Sequence, residues 1–217
     1  CMNLNTQFEL SLIGCNQAGR TAFINALLDH LKPMVSAGQA EVRILDHYDR
    51  PLAQHNGQDY VAQYSLDYTK DGPGFMLHAL EVSRERQTLV KAEGSSAIAD
   101  APLMVYILNA KDAITAIAGN REAKDAFADM AMNGRRTKIL FIFGEIENRA
   151  ISYSASDILK HIKESKQALV FENLGVVKCF DVPASVVRAN TIRLGPEDAY
   201  LFEEDVMRRV HLVHGPV

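Results

Sequence analysis

The chain has 217 residues, 47% of them hydrophobic, enough to fill one sizeable core. Its 23 Lys and Arg against 27 Asp and Glu leave a net charge of −4, with no dense basic cluster to reverse the sign locally, which argues against nucleic acid or an anionic membrane as partner. Three widely spaced cysteines without a C-x-x-C pair give neither a disulfide framework nor a zinc site, and no apolar run is long enough to span a bilayer or to act as a secretion signal. The expectation is a cytoplasmic protein with no direct membrane anchor, folded as a single domain over 1–217. Residues 1–6 are expected to be a disordered start, with Cys1-Met2 a remnant ahead of a native Met.

Apolar runs alternate with amphipathic segments, the pattern of a doubly wound α/β fold with a mostly parallel sheet and one β-hairpin edge. A strand at 8–13 leads through a glycine loop at 14–19 into a helix from Arg20 to about Leu31, which Pro33 limits. Residues 33–60 read as largely irregular apart from a strand-like alternation at 41–45. Tyr60–Thr69 and Phe75–Val82, on either side of the turn-like Lys70-Asp71-Gly72-Pro73-Gly74, read as a hairpin, followed by a helix over 84–99. Leu103–Leu108 is a strand buried on both faces, 112–132 a long helix ending at Asn133-Gly134, and 138–144 a second buried strand. A helix over 156–167 with Ser154 or Ser156 as cap, a last strand at 176–182 and a closing helix over 196–210 complete the pattern.

The motif with most chemistry is Gly14-Cys15-Asn16-Gln17-Ala18-Gly19-Arg20-Thr21, which reads G-x-x-x-x-G-R-T between a strand and a helix. In a complete phosphate loop the backbone N–H groups curl around the phosphates, a Lys reaches the β/γ-phosphates and the Ser/Thr hydroxyl holds Mg²⁺. The candidate ligand-binding residues are therefore Gly14, Asn16, Gln17, Ala18, Gly19, Arg20 and Thr21. Arg20 stands in the Lys position, and its planar fork does not replace a compact ammonium. It either meets phosphate, turns outward, or pairs with Glu81 to fill an empty pocket. Elsewhere the plain readings suffice: Asp71-Gly-Pro-Gly as a hairpin turn, Asp112 as a helix cap, and Glu145 and Glu147 as solvated charges at a strand end.

A phosphate loop after the first strand, a hairpin next and three further strand-helix units resemble the Ras-like small GTPases over essentially the whole chain. Of the five short motifs that family uses, only the phosphate loop is nearly intact here. By resemblance, Glu81-Val82-Ser83-Arg84 stands for D-x-x-G and makes Glu81, with Thr21, the metal-side pair, Asp71 being the other candidate. Glu85 falls near the water-orienting glutamine. Gly144-Glu145-Ile146-Glu147 stands for N-K-x-D and makes Glu147 the base-reading residue. Pro183-Ala184-Ser185 keeps only the alanine of S-A-K, and residues 33–58 contain no switch Thr. The resemblance thus implies a degenerate GTPase, a pseudo-GTPase with no assignable catalytic residue, acting as an adaptor through protein partners, with 33–58 as the docking segment. The alternative is a divergent switch that binds GTP or GDP with Mg²⁺. A P-loop kinase fits less well, because no Arg-rich lid follows.

Overall fold

The computed structural model describes residues 8–14, 17–153, 156–204 and 206–212. An eight-stranded sheet has the order β3-β2-β4-β5-β1-β6-β7-β8. Strands β1 (Glu9–Ile13), β2 (Ala40–Asp46), β3 (Gln63–Ser65), β4 (Leu103–Asn109), β5 (Ile139–Ile146) and β6 (Ala168–Val170) pair in parallel. The last two, β7 (Asp198–Glu203) and β8 (Val206–His211), run antiparallel and form a hairpin at one edge.

Alternation along the central strands sorts side chains to two cores. Leu10 and Leu12 of β1, Val105 and Ile107 of β4, and Leu140 and Ile142 of β5 meet Ile24, Leu27, Leu28 and Leu31 of α1 (Gln17–Ser36). The opposite face, with Tyr106, Phe141 and Phe143, is covered by α2 (Tyr68–Glu93), α3 (Lys111–Gly119), α4 (Arg121–Asn133), α5 (Asn148–Tyr153) and α6 (Asp157–Ser165). A short α7 (Ala184–Ala189) lies beyond β6. All of β4 is buried, which accounts for its unbroken apolar run. Among the described residues no helix is long and apolar enough to cross a membrane.

The expected doubly wound sheet is present, but several elements differ from the sequence reading, each for a packing reason. Pro33 does not end α1, which continues to Ser36 with Met34 and Val35 against the core and stops near Gly38 in the left-handed region. The hairpin expected at 60–82 is absent. Residues 63–65 form a short parallel edge strand, and 68–93 is one 26-residue helix with Pro73 inside it. A proline there removes a helix hydrogen bond and is costly. Burial of Gly72, Pro73, Phe75, Met76 and Ala79 offsets that cost, and a Cβ on Gly72 would lie only 3.6 Å from the Ala113 carbonyl of α3. Asp67 caps the helix by accepting from the Lys70 N–H.

The long helix expected at 112–132 is two, broken at Gly119-Asn120, where Asn120 caps α4 through the Ala123 N–H at 3.0 Å. Residues 176–182 are not a strand; the sixth strand is 168–170. The helix expected at 196–210 is the β7–β8 hairpin, because Ala199, Tyr200, Leu201 and Phe202 are all buried and supply both cores, a demand no one-sided helix meets. Without a second-place hairpin, the element order is not that of a Ras-like GTPase.

The tip of β2 is held by one carboxylate. Asp46 is fully buried and accepts four hydrogen bonds: from the N–H of His47 and Leu52, the Tyr64 hydroxyl and the Asn109 amide, at 2.7–3.0 Å. Asn109 in turn presses on β5, where a Cβ on Gly144 would meet its Oδ1 at 2.5 Å. Asp46→Ala is expected to cost about 3 kcal/mol or more, because it orphans several buried donors, and Gly144→Ala about 1–3 kcal/mol from overpacking. Urea unfolding measures both. A loss for Asp46→Ala within about 0.5 kcal/mol, the scatter of ordinary surface changes, would remove Asp46 from this role.

Candidate functional site

The carboxyl ends of β1, β2, β4 and β5 converge on one edge of the sheet, the usual location of ligands in open α/β folds. Gly14 ends β1 with φ +120°, and its N–H donates to the Ile146 carbonyl at 2.9 Å. Helix α1 already begins at Gln17, so its positive N-terminal end faces this edge. Gln17, Ala18, Gly19, Arg20 and Thr21 are all helical and lie together just beyond Gly14. Asn16, and Cys15 beside it, lie outside the described residues.

The cradle is occupied by the protein's own groups. The guanidinium of Arg20, 7% exposed, donates from Nη1 to the Gly14 carbonyl and places Nη2 3.9 Å from the carboxylate of Glu145. Its ion-pair partner is therefore Glu145 and not Glu81. Glu145 is not a solvated strand-end charge. It is half-buried, sits in the left-handed region at φ 56°, accepts from the Lys111 N–H at the start of α3, and lies 3.7 Å from His47. A non-glycine residue held there is strained, and three contacts hold it. A second carboxylate covers the glycine: a Cβ on Gly14 would strike Glu172 Cγ at 2.8 Å. Glu172 Oε2 accepts from Asn148 Nδ2, and Asn148 also binds the Val176 carbonyl and the N–H groups of Lys178 and Cys179, fixing the 172–179 segment over the loop.

Bound phosphates with Mg²⁺ fit this arrangement poorly. Arg20 is turned back on the Gly14 carbonyl, and the carboxylates of Glu145 and Glu172 lie beside Arg20 and Gly14. The strand-end residue of β4 is the neutral Asn109. Asp46 beside it has used all four acceptor positions of its carboxylate. Among the described residues no group of three His, Cys, Asp or Glu is arranged to hold a metal ion.

The remaining expected residues fall elsewhere. Glu81 is exposed on α2, 13 residues into a helix that runs back from this edge, hence about 20 Å along it. It is not placed to share a metal with Thr21. Asp71 accepts from the Ser65 hydroxyl at the β3 edge, four strands and about 19 Å from β1, so it does not replace Glu81. Glu85 is likewise exposed on α2. Asp112 lies in the first turn of α3, but Ala110 is the cap position. Glu147 is exposed after β5, 3.9 Å from Lys111 Nζ, and lines a pocket of about 260 Å³ with Lys111, Asp112, Thr115, Ile146 and Ala150. Asp46, Asn148 and Glu172 carry no motif of their own in the sequence, whereas Asn109 opens the segment Asn109-Ala110-Lys111-Asp112, a displaced likeness of the base-reading motif that reads more simply as a helix start.

No family model matches the sequence, and no curated protein is significantly similar to it. Solved structures do resemble it. ATPases 2 and 3 of EssC from Geobacillus thermodenitrificans superpose with a TM-score of 0.74 at 14% identity, over 97% of this chain and 38% of that one. ATPases 2 and 3 of EccC from Thermomonospora curvata, in complex with a signal sequence peptide, give 0.70 at 13% identity over 100% and 38%. The pCW3 conjugation coupling protein TcpA with ATPγS gives 0.70 at 12% identity over 98% and 62%. The fold is a P-loop NTPase fold. This chain spans less than two fifths of the length of the EssC and EccC structures.

The loop after β2 borders the site and is pinned to α1 through His55. The ring accepts at Nδ1 from the Tyr60 hydroxyl (2.5 Å) and donates at Nε2 to Asn25 Oδ1 (2.7 Å), which fixes the neutral tautomer. Burial lowers the His55 pKa below its ordinary value, with the Lys32 ammonium adding to the effect. The folded state thus binds this proton less readily than the unfolded state. The contribution to stability is complete above the ordinary His pKa and is lost as pH falls through the depressed one. Amide protection factors over 53–62, which correct for the slower intrinsic exchange at lower pH, are expected to fall between pH 7 and pH 5, and that acid-induced fall to vanish in His55→Asn. Equal acid sensitivity in both proteins would assign the effect to another group.

Proposed function

We propose that this chain is a degenerate P-loop domain that turns over no nucleoside triphosphate and works as a soluble adaptor through protein contacts. The observation that carries the reading is the self-filled cradle, with Arg20 closed on the Gly14 carbonyl, opposite Glu145, under the carboxylate of Glu172. Efficient phosphoryl transfer needs charge stabilisation at the γ-phosphate, bound Mg²⁺ and a positioned nucleophile. Here the one cation of the loop is already neutralised. The partner-facing surface is the loop after β2, where Tyr48 is 72% exposed beside His47 while Asp46 and His55 anchor its two ends. The structures that resemble the chain are named for type VII secretion and conjugation coupling, which favours a docking role within a transport assembly.

A second reading keeps nucleotide binding without turnover. Thr21 retains its place after Arg20, and the α1 N-terminus still faces the loop. On that reading Thr21→Asn abolishes binding.

The two readings separate by thermal unfolding with ATP or GTP and Mg²⁺, together with a phosphate-release assay. A ligand at about 100 times its Kd adds about 2.7 kcal/mol, which for a chain of this size raises Tm by about 5–10 °C. The expected result is no shift and no release. A Mg²⁺-dependent shift that disappears in Thr21→Asn supports the second reading, and turnover at about 1 s⁻¹, within the usual enzyme range, overturns both.

A further inference from the structure

We propose that a pocket at the amino end of β1, on the opposite edge of the sheet from the phosphate loop, binds a guanidinium or primary ammonium group. Its floor is Glu9, a carboxylate only 2% exposed on a strand otherwise made of core residues. One oxygen, Oε1, accepts from the Ser165 hydroxyl at 2.5 Å and lies 3.2 Å from His161 Nε2. The other, Oε2, is buried and has no hydrogen-bond partner, and the same holds for Oε1 of Gln167 on the pocket wall. A buried acceptor without a donor is costly. The pocket, about 380 Å³, is lined by Glu9 and Gln167 together with Glu164 and Glu204.

A site built of acceptors selects a ligand built of donors. Guanidinium has five N–H groups and no acceptor, and ammonium has three; both are drawn by the surrounding carboxylates. Two basic groups already border the pocket without using those oxygens. Arg135 lies exposed on the rim, with no ion pair to Glu9, Glu164 or Glu204 among the described contacts. His161 is directed to the other oxygen of Glu9, whose hydrogen bond raises its pKa. A cation at Oε2 competes electrostatically with that proton, so ligand binding and His161 protonation are coupled. The group arrives either on a free small amine or on an Arg or Lys side chain of a partner protein.

The test follows the His161 ring by NMR during titration with agmatine, and separately with blocked arginine (N-acetyl-arginine-N-methylamide), against an equal ionic strength of KCl. Saturable binding at about 1 mM, equivalent to about 4 kcal/mol, is expected, with a downward move of the His161 pKa. Glu9→Gln should weaken binding tenfold or more. Glu204→Gln, on the exposed rim, should weaken it severalfold and guards against misfolding of the first variant. Binding of agmatine alone assigns a free amine, whereas equal or tighter binding of blocked arginine assigns a protein side chain. A response no larger than that of KCl, or one unchanged in both variants, overturns the proposal and leaves the orphan oxygens to water.

Discussion

The buried carboxylate of Asp46 organises the carboxyl edge of the sheet. A carboxylate taken out of water is tolerated only when its acceptor positions are met, and here two backbone N–H groups, a tyrosine hydroxyl and an asparagine amide meet them. Those four donors come from the loop after β2, from β3 and from β4. Satisfying one charge therefore fixes where the loop turns, where the edge strand joins and which way Asn109 points. Gly144 follows from it, because only a residue without a side chain lets β5 pass that amide. His47, held next to Asp46, reaches Glu145, and Glu145 reaches Arg20.

Along that chain of contacts Arg20 joins a network of internal charges. A lysine at position 20 would present a compact cation that stays extended toward a ligand. The arginine fork has donors enough to bond the Gly14 carbonyl and face a carboxylate at once. The carboxylate of Glu145, on a left-handed backbone, lies beside Arg20, and that of Glu172, which accepts from Asn148, lies beside Gly14. The helix N-terminus alone does not outweigh two carboxylates at such short range, since its effect is that of about half a unit charge.

Much of the scaffold was legible in the sequence. The strands at 103–109 and 139–146 contain the apolar runs Leu103–Leu108 and Ile139–Phe143, where burial on both faces admits little else, and the strand at 9–13 was marked by the glycine loop that follows it. The helix after Gly19 and the one from Asp157 followed from their apolar stripes, and the sheet proved mostly parallel with one hairpin edge. That hairpin lies at 198–211 and not at 60–82, because local turn chemistry misled at Gly72-Pro73-Gly74. Those residues make a good turn in isolation, yet they serve a close contact between α2 and α3. Pro196 misled likewise as a helix start at 196–210, where burial of Tyr200, Leu201 and Phe202 overrides any helical preference.

The sequence by itself determined the fold class, the strand-loop-helix unit at Gly14–Thr21 and the departure at Arg20, because each depends on residues close together in the chain. The state of the site was decided only by the tertiary structure. Glu145 and Glu172 stand more than a hundred residues from Arg20 in sequence, and the same is true of Glu9 and His161 at the opposite edge. They meet because β5, β1 and β6 are neighbours in the sheet. Strand order is set by the packing of two whole faces and is not written in any local pattern, so the charges that close the cradle and those that open the second pocket emerge only once the sheet has formed.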